Sequence, residues 1–73
     1  MTQSYFMDGY DTGREALTES QLTLDQISTA YQDGDRFHQT LCVHNKWALA
    51  EWLGGFLSAF SGELYHRGIG RSA

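Results

Sequence analysis

Proline is absent from this chain, cysteine occurs once, and basic residues are scarce, with five Lys and Arg against nine Asp and Glu. Each shortage excludes something. Without proline, no segment is barred from continuing as a helix. With Cys42 alone, no disulfide can form within the chain, although domains of this size often lean on one. A lone thiol, together with the lack of a basic and apolar leader in Met1-Thr2-Gln3-Ser4-Tyr5, predicts a cytoplasmic setting. The deficit of Lys and Arg removes the basic footprint that direct nucleic-acid binding requires. Long apolar runs are missing as well. The longest uncharged stretch of the C-terminal third, residues 52–62, is eleven residues, whereas a membrane-spanning helix needs ~20.

What is present is organised by charge and by helical spacing. Residues 1–36 carry Asp8, Asp11, Glu15, Glu19, Asp25, Asp33 and Asp35 against Arg14 and Arg36, a balance of −5. Residues 37–73 carry Glu51 and Glu63 against Lys46, Arg67 and Arg71, a balance of +1. With 73 residues the chain is one small domain, in a size range where folding buries only ~60% of the chain surface.

Three helices are predicted, over about residues 4–19, 23–42 and 45–67. In the first, Phe6, Tyr10, Gly13 and Leu17 gather on one face, with Asp8, Asp11 and Glu15 opposite. Gly9 and Gly13 weaken this helix by ~1 kcal/mol each relative to Ala, but they open its apolar edge to close approach by another backbone. The second helix has the best start signal. Thr23 and Gln26 have capping-box spacing, and Leu22 and Ile27 are placed for a hydrophobic staple. Its stripe runs Leu24, Ile27, Ala30, Tyr31, Gly34, Phe37, His38 and Leu41, with Gly34 in a packing position rather than a turn. Asn45 reads as the N-cap of the third helix. Gly68 reads as its left-handed stop, with Ile69 placed to touch Leu64 and residues 68–73 forming a frayed tail. Short connections make successive helices antiparallel, and the C-terminal helix, the most apolar, is the central element. The fold class is therefore all-α, a small three-helix domain.

That third helix divides into two faces. Leu49, Trp52, Leu53, Phe56, Phe60 and Leu64 form a bulky arc expected to be core. Gly54, Ser58 and Gly62 form a shallow groove edged by Trp47 and Tyr65. The groove suits the first helix with its own glycines, a second copy of the chain, or another partner, and Trp and Tyr are enriched among binding hot spots. A faint echo links the first and third helices. Phe6-Met7-Asp8-Gly9-Tyr10 and Phe56-Leu57-Ser58-Ala59-Phe60 share an aromatic-x-x-small-aromatic order that would let two helices interlock.

Chemistry-bearing motifs are sparse. His38 and Cys42 stand at i, i+4, a spacing that can hold two ligands of a tetrahedral metal, but no second close pair accompanies them. His38 fits better as a half-buried side chain bonded to Glu51 or a backbone carbonyl. An EF-hand reading of Asp8, Gly13 and Glu19 fails, because Tyr10 and Thr12 stand where acidic ligands belong. No nucleophile–base pair or phosphate loop is evident, so no catalytic, cofactor or metal residue is assigned and the chain is expected not to be an enzyme.

The expected function is a non-enzymatic protein-interaction module that self-associates through Trp47, Gly54, Ser58, Gly62 and Tyr65, leaving the acidic face Asp8, Asp11 and Glu15 for a basic partner. A competing class is a small acidic inhibitor of phage type, such as an anti-CRISPR or anti-restriction protein, that occupies a basic site of a nucleic-acid-handling protein. That likeness is one of size and charge. A third class, a small membrane-associated protein, is disfavoured by the short apolar run and by Glu51 and Glu63 at its ends.

Overall fold

The computed structural model describes residues 4–67 and contains three helices, α1 (Tyr5–Glu19), α2 (Leu24–Val43) and α3 (Trp47–Arg67). The first two helices start on side-chain caps. Ser4 caps α1 by accepting the Met7 N–H at 3.3 Å. Thr23 and Gln26 close the capping box of α2 with reciprocal bonds of 3.2 and 2.9 Å, satisfying two N–H groups that the helix start would otherwise leave open. Leu22, before the cap, packs on the core cluster that contains the fully buried Ile27, so the staple positions are both filled.

The junction between α2 and α3 differs from expectation. Asn45 is not the N-cap of α3 but the left-handed residue that ends α2, with φ of 60°. The Lys46 N–H returns to the Leu41 carbonyl at 3.1 Å, and the Asn45 N–H to Cys42 at 3.3 Å, the double bond pattern of a Schellman stop. The Lys46 carbonyl then accepts the Ala50 N–H at 2.9 Å and opens α3. Asparagine serves at either end of a helix, since its short polar side chain suits the N-cap and also tolerates the left-handed region. The predicted stop at Gly68 and Ile69 lies outside the described residues.

α3 is the central element, touching both other helices, while α1 and α2 make no close backbone approach to each other. Gly34 and His38 of α2 lie against Leu57 and Gly54 of α3, so these two run antiparallel. Gly9 of α1 faces Trp52 and Phe56, and Gly13 faces Phe56 and Ala59, so α1 and α3 run parallel. Their crossing is built from backbone. A methyl group placed on Gly9 would overlap the Trp52 carbonyl oxygen, and one on Gly55 would overlap the carbonyl of Phe6. One on Gly13 would stand 2.9 Å from the Ala59 methyl and 3.0 Å from the Phe56 carbonyl oxygen. Gly9 with Gly13, and Gly55 with Ala59, are thus two small-x-x-x-small pairs laid against each other. The two helices do pack through small residues, but one residue around α3 from the predicted groove and with Gly13, rather than Gly9, against Ala59.

The core follows from this crossing. Leu17, Ile27, Ala59, Phe60 and Leu64 form one buried cluster, with Tyr10, Leu22, Tyr31 and Phe56 packed against it. Trp52, Phe56 and Phe60 stack along α3 at centroid distances of 5.3 and 4.9 Å. Leu57, outside the expected arc, is buried because Gly34 leaves it room, whereas Leu49 and Phe37, assigned to apolar stripes, are each 56% exposed. The arc loses its cover toward the start of α3. At the other end, Arg67 donates to the Leu22 carbonyl and to Glu63, both at 2.6 Å, tying the α1–α2 connection to α3.

Glycine substitutions should separate by what they meet. Gly9→Ala and Gly55→Ala force backbones apart and should each cost about 1–3 kcal/mol or more, as overpacking does. Gly34→Ala meets only the end of the Leu57 side chain at 2.6 Å and should cost less. Gly62→Ala meets nothing within 4 Å and should stabilise by up to ~1 kcal/mol through helix propensity. Urea denaturation of the four variants gives the order directly.

Candidate interaction surfaces

The five α3 residues assigned to an interface do not share one environment. At ~100° per residue they form a single stripe, and Trp47, Ser58, Gly62 and Tyr65 are all exposed, Trp47 at 65% and Tyr65 at 60%. Gly54 alone is half-covered, by the His38 ring on one side and the Phe6 ring on the other. Helix α1 therefore does not fill this groove, because its glycines seat on Gly55 and Ala59 instead. Beyond Gly54 the stripe is open, with Ser58 turned back to bond the Gly54 carbonyl at 3.0 Å. Polar side chains that satisfy their own helix leave a surface with few fixed hydrogen-bonding demands.

Asp8, Asp11 and Glu15 are exposed along the outer side of α1. No hydrogen bond or ion pair engages their carboxylates among the described residues. Asp8 also stands in the first turn of α1, where a negative charge suits the helix dipole. Arg14 lies on another flank, beside Glu63 and Arg67.

His38 and Cys42 come together as their spacing predicts, with Nε2 and Sγ 3.8 Å apart. The partner of His38 is thus Cys42 rather than Glu51. Among the described residues, no three His, Cys, Asp or Glu side chains converge as metal ligands. A shallow cleft of about 220 Å³ beside this pair is lined by Tyr31, Asp35, His38, Gly54, Leu57 and Ser58, and Asp35 is already held by Gln39 at 3.1 Å.

One surface escaped the sequence reading. The parallel crossing places the starts of α1 and α3 side by side, where Tyr5 meets Trp47 edge-on at 5.8 Å. Next to them Tyr5, Asp8, Ala48, Leu49 and Trp52 line a cleft of about 420 Å³. Its walls are apolar save for one carboxylate. Exposed apolar residues assigned to core, such as Leu49, were the available signal, but their meeting with Tyr5 and Asp8 depends on the direction in which α1 runs.

No protein-family model matches this chain, and no curated protein or solved structure shows significant similarity to it. No helix among the described residues is long and apolar enough to cross a membrane.

The contrast between the two tryptophans is measurable. Trp47 is largely exposed and Trp52 half-covered, so Trp47→Phe should shift the remaining emission to shorter wavelength and cut its quenching by iodide at low protein concentration. Equal quenching of wild type and variant would contradict this placement.

Proposed function

We propose that the chain is a small, non-enzymatic protein-interaction module that self-associates through α3. The observation that carries the reading is the stripe from Trp47 to Tyr65, half-covered at Gly54 and open beyond it. Two large aromatic side chains stand exposed at its ends, and between them Ser58, Ser61 and Gly62 keep the surface low. A second helix can approach closely over such a surface, as it does on the neighbouring face at Gly55 and Ala59. A twofold arrangement would place Trp47 of one copy near Tyr65 of the other, each aromatic finding an anchor. Its single exposed thiol suits a reducing compartment.

A second reading draws on the unpaired carboxylates of α1. Asp8, Asp11 and Glu15 are spaced by about one turn and are free to meet basic groups, as an acidic inhibitor of a nucleic-acid-handling protein would require.

Gly62→Leu is the cleanest probe of self-association, since the position has nothing around it within 4 Å and the monomer can accept the side chain. Wild type should sediment as an oligomer at micromolar concentration, and Gly62→Leu and Trp47→Ala should each shift it toward monomer with unchanged helical circular dichroism. A wild type that stays monomeric across the concentration range removes self-association and leaves the acidic reading, whose binding should weaken with salt.

A further inference from the structure

We infer that the cleft between the starts of α1 and α3 receives a basic amphipathic helix of a partner protein, with its apolar side chains against Tyr5, Leu49 and Trp52 and its basic ones along Asp8, Asp11 and Glu15. The cleft holds about 420 Å³, within the ~300–1,000 Å³ of sites that take ligand-sized groups. Trp52 and Ala48 form its half-covered walls, and Leu49 and Tyr5 its exposed rims. Among the described residues, Asp8 is the one charged side chain lining it, and its carboxylate is unengaged there.

Charge complementarity selects the occupant. Asp8 belongs both to the cleft and to the acidic line that continues through Asp11 and Glu15, so apolar and anionic surfaces meet at one residue. The line advances by three and then four residues, about 10 Å along the helix. A partner helix lying beside α1 offers Lys or Arg at the same i, i+3, i+7 rhythm while its apolar face enters the cleft, the helix-in-groove mode of recognition. Lys46, next to Trp47 in sequence, marks the opposite end, so the basic face is directed away from it, toward Glu15. Around α3, Trp52 stands about a third of a turn from Ser58, and Leu49 about half a turn. The proposal rests on the reading as an interaction module but not on self-association.

The probe is a Leu/Lys amphipathic helical peptide, with a Leu/Glu peptide of identical pattern as control, titrated into the labelled full chain and followed by amide shifts. Shifts should centre on Tyr5, Asp8, Leu49 and Trp52. Affinity should fall about tenfold in Leu49→Glu and in the Asp11→Lys, Glu15→Lys pair, as like-charge placement at an interface predicts, and fall with salt. The pair keeps Asp8 in the first turn of α1, so the test survives if Asp8→Lys fails to fold. Asp25→Lys with Asp33→Lys, the same charge change on α2, should leave affinity within about twofold. Equal loss from the α2 reversals, equal binding of the Leu/Glu peptide, shifts mapped elsewhere, or competition from a second copy of the chain for the cleft would each overturn the proposal. A monomer that binds the Leu/Lys peptide one to one supports the cleft while removing self-association.

Discussion

Among the described residues, two helix backbones come together with no side chain between them. Where α1 crosses α3, Gly9 and Gly13 meet Gly55 and Ala59, and carbonyl groups occupy the space that Cβ atoms would take. Helix axes normally stand ~8–10 Å apart because side chains separate them, and removing those side chains lets the helices draw together. The gain is dense contact over several residues. The cost is glycine in two helix interiors and, because the helices are parallel, dipoles that point the same way. The flanking aromatic residues make the exchange favourable. Beside the crossing, Tyr10 of one helix and Phe56 of the other pack against the buried Phe60.

The rest of the architecture follows from that seam. With α1 seated on Gly55 and Ala59, and α2 seated on the side of Leu57 and Gly54, α3 is covered on two sides. The flanking helices make no close backbone approach to each other, and they meet through side chains, Leu17 of α1 and Ile27 of α2 joining Phe60 and Leu64 of α3 in one core. That core protects Phe60 and Leu64 well and leaves Leu49 and Trp47 outside. Among the described residues, no polar or charged side chain is buried. Specificity of packing rests on shape, on glycine meeting carbonyl and Gly34 meeting Leu57, with Arg67 anchoring the far end.

This geometry also decides which parts of α3 stay exposed. α3 is apolar on most sides, and the parts that α1 and α2 leave uncovered are of two kinds. One is low and polar-lined, between Trp47 and Tyr65. The other is an aromatic cleft with a carboxylate at its edge, formed only because two helix starts lie side by side. Asp8, at the start of the acidic line of α1, lines the cleft, and none of the line belongs to the stripe, so the two surfaces differ in charge as well as in position.

Much of this is legible in the amino-acid sequence. The number of helices and their extents follow from apolar spacing, from the capping box at Thr23 and from the absence of proline, since these act within a few residues of themselves. The small-residue character of the α1–α3 contact was legible too, in Gly9, Gly13 and the shared aromatic order. Legibility ended where one residue type serves two purposes. Asn45 fits a helix start and a helix stop. Gly54, Ser58 and Gly62 fit a crossing as well as Gly55 and Ala59 do, and the sequence offers no reason to prefer either set. The amino-acid sequence by itself determined three helices, an acidic outer face on α1 and a greasy α3 that requires close neighbours. Only the tertiary structure decided which small residues receive α1, and therefore which are left open, because that choice is made by the joint packing of Phe6, Tyr10, Trp52 and Phe56 across residues far apart in the chain.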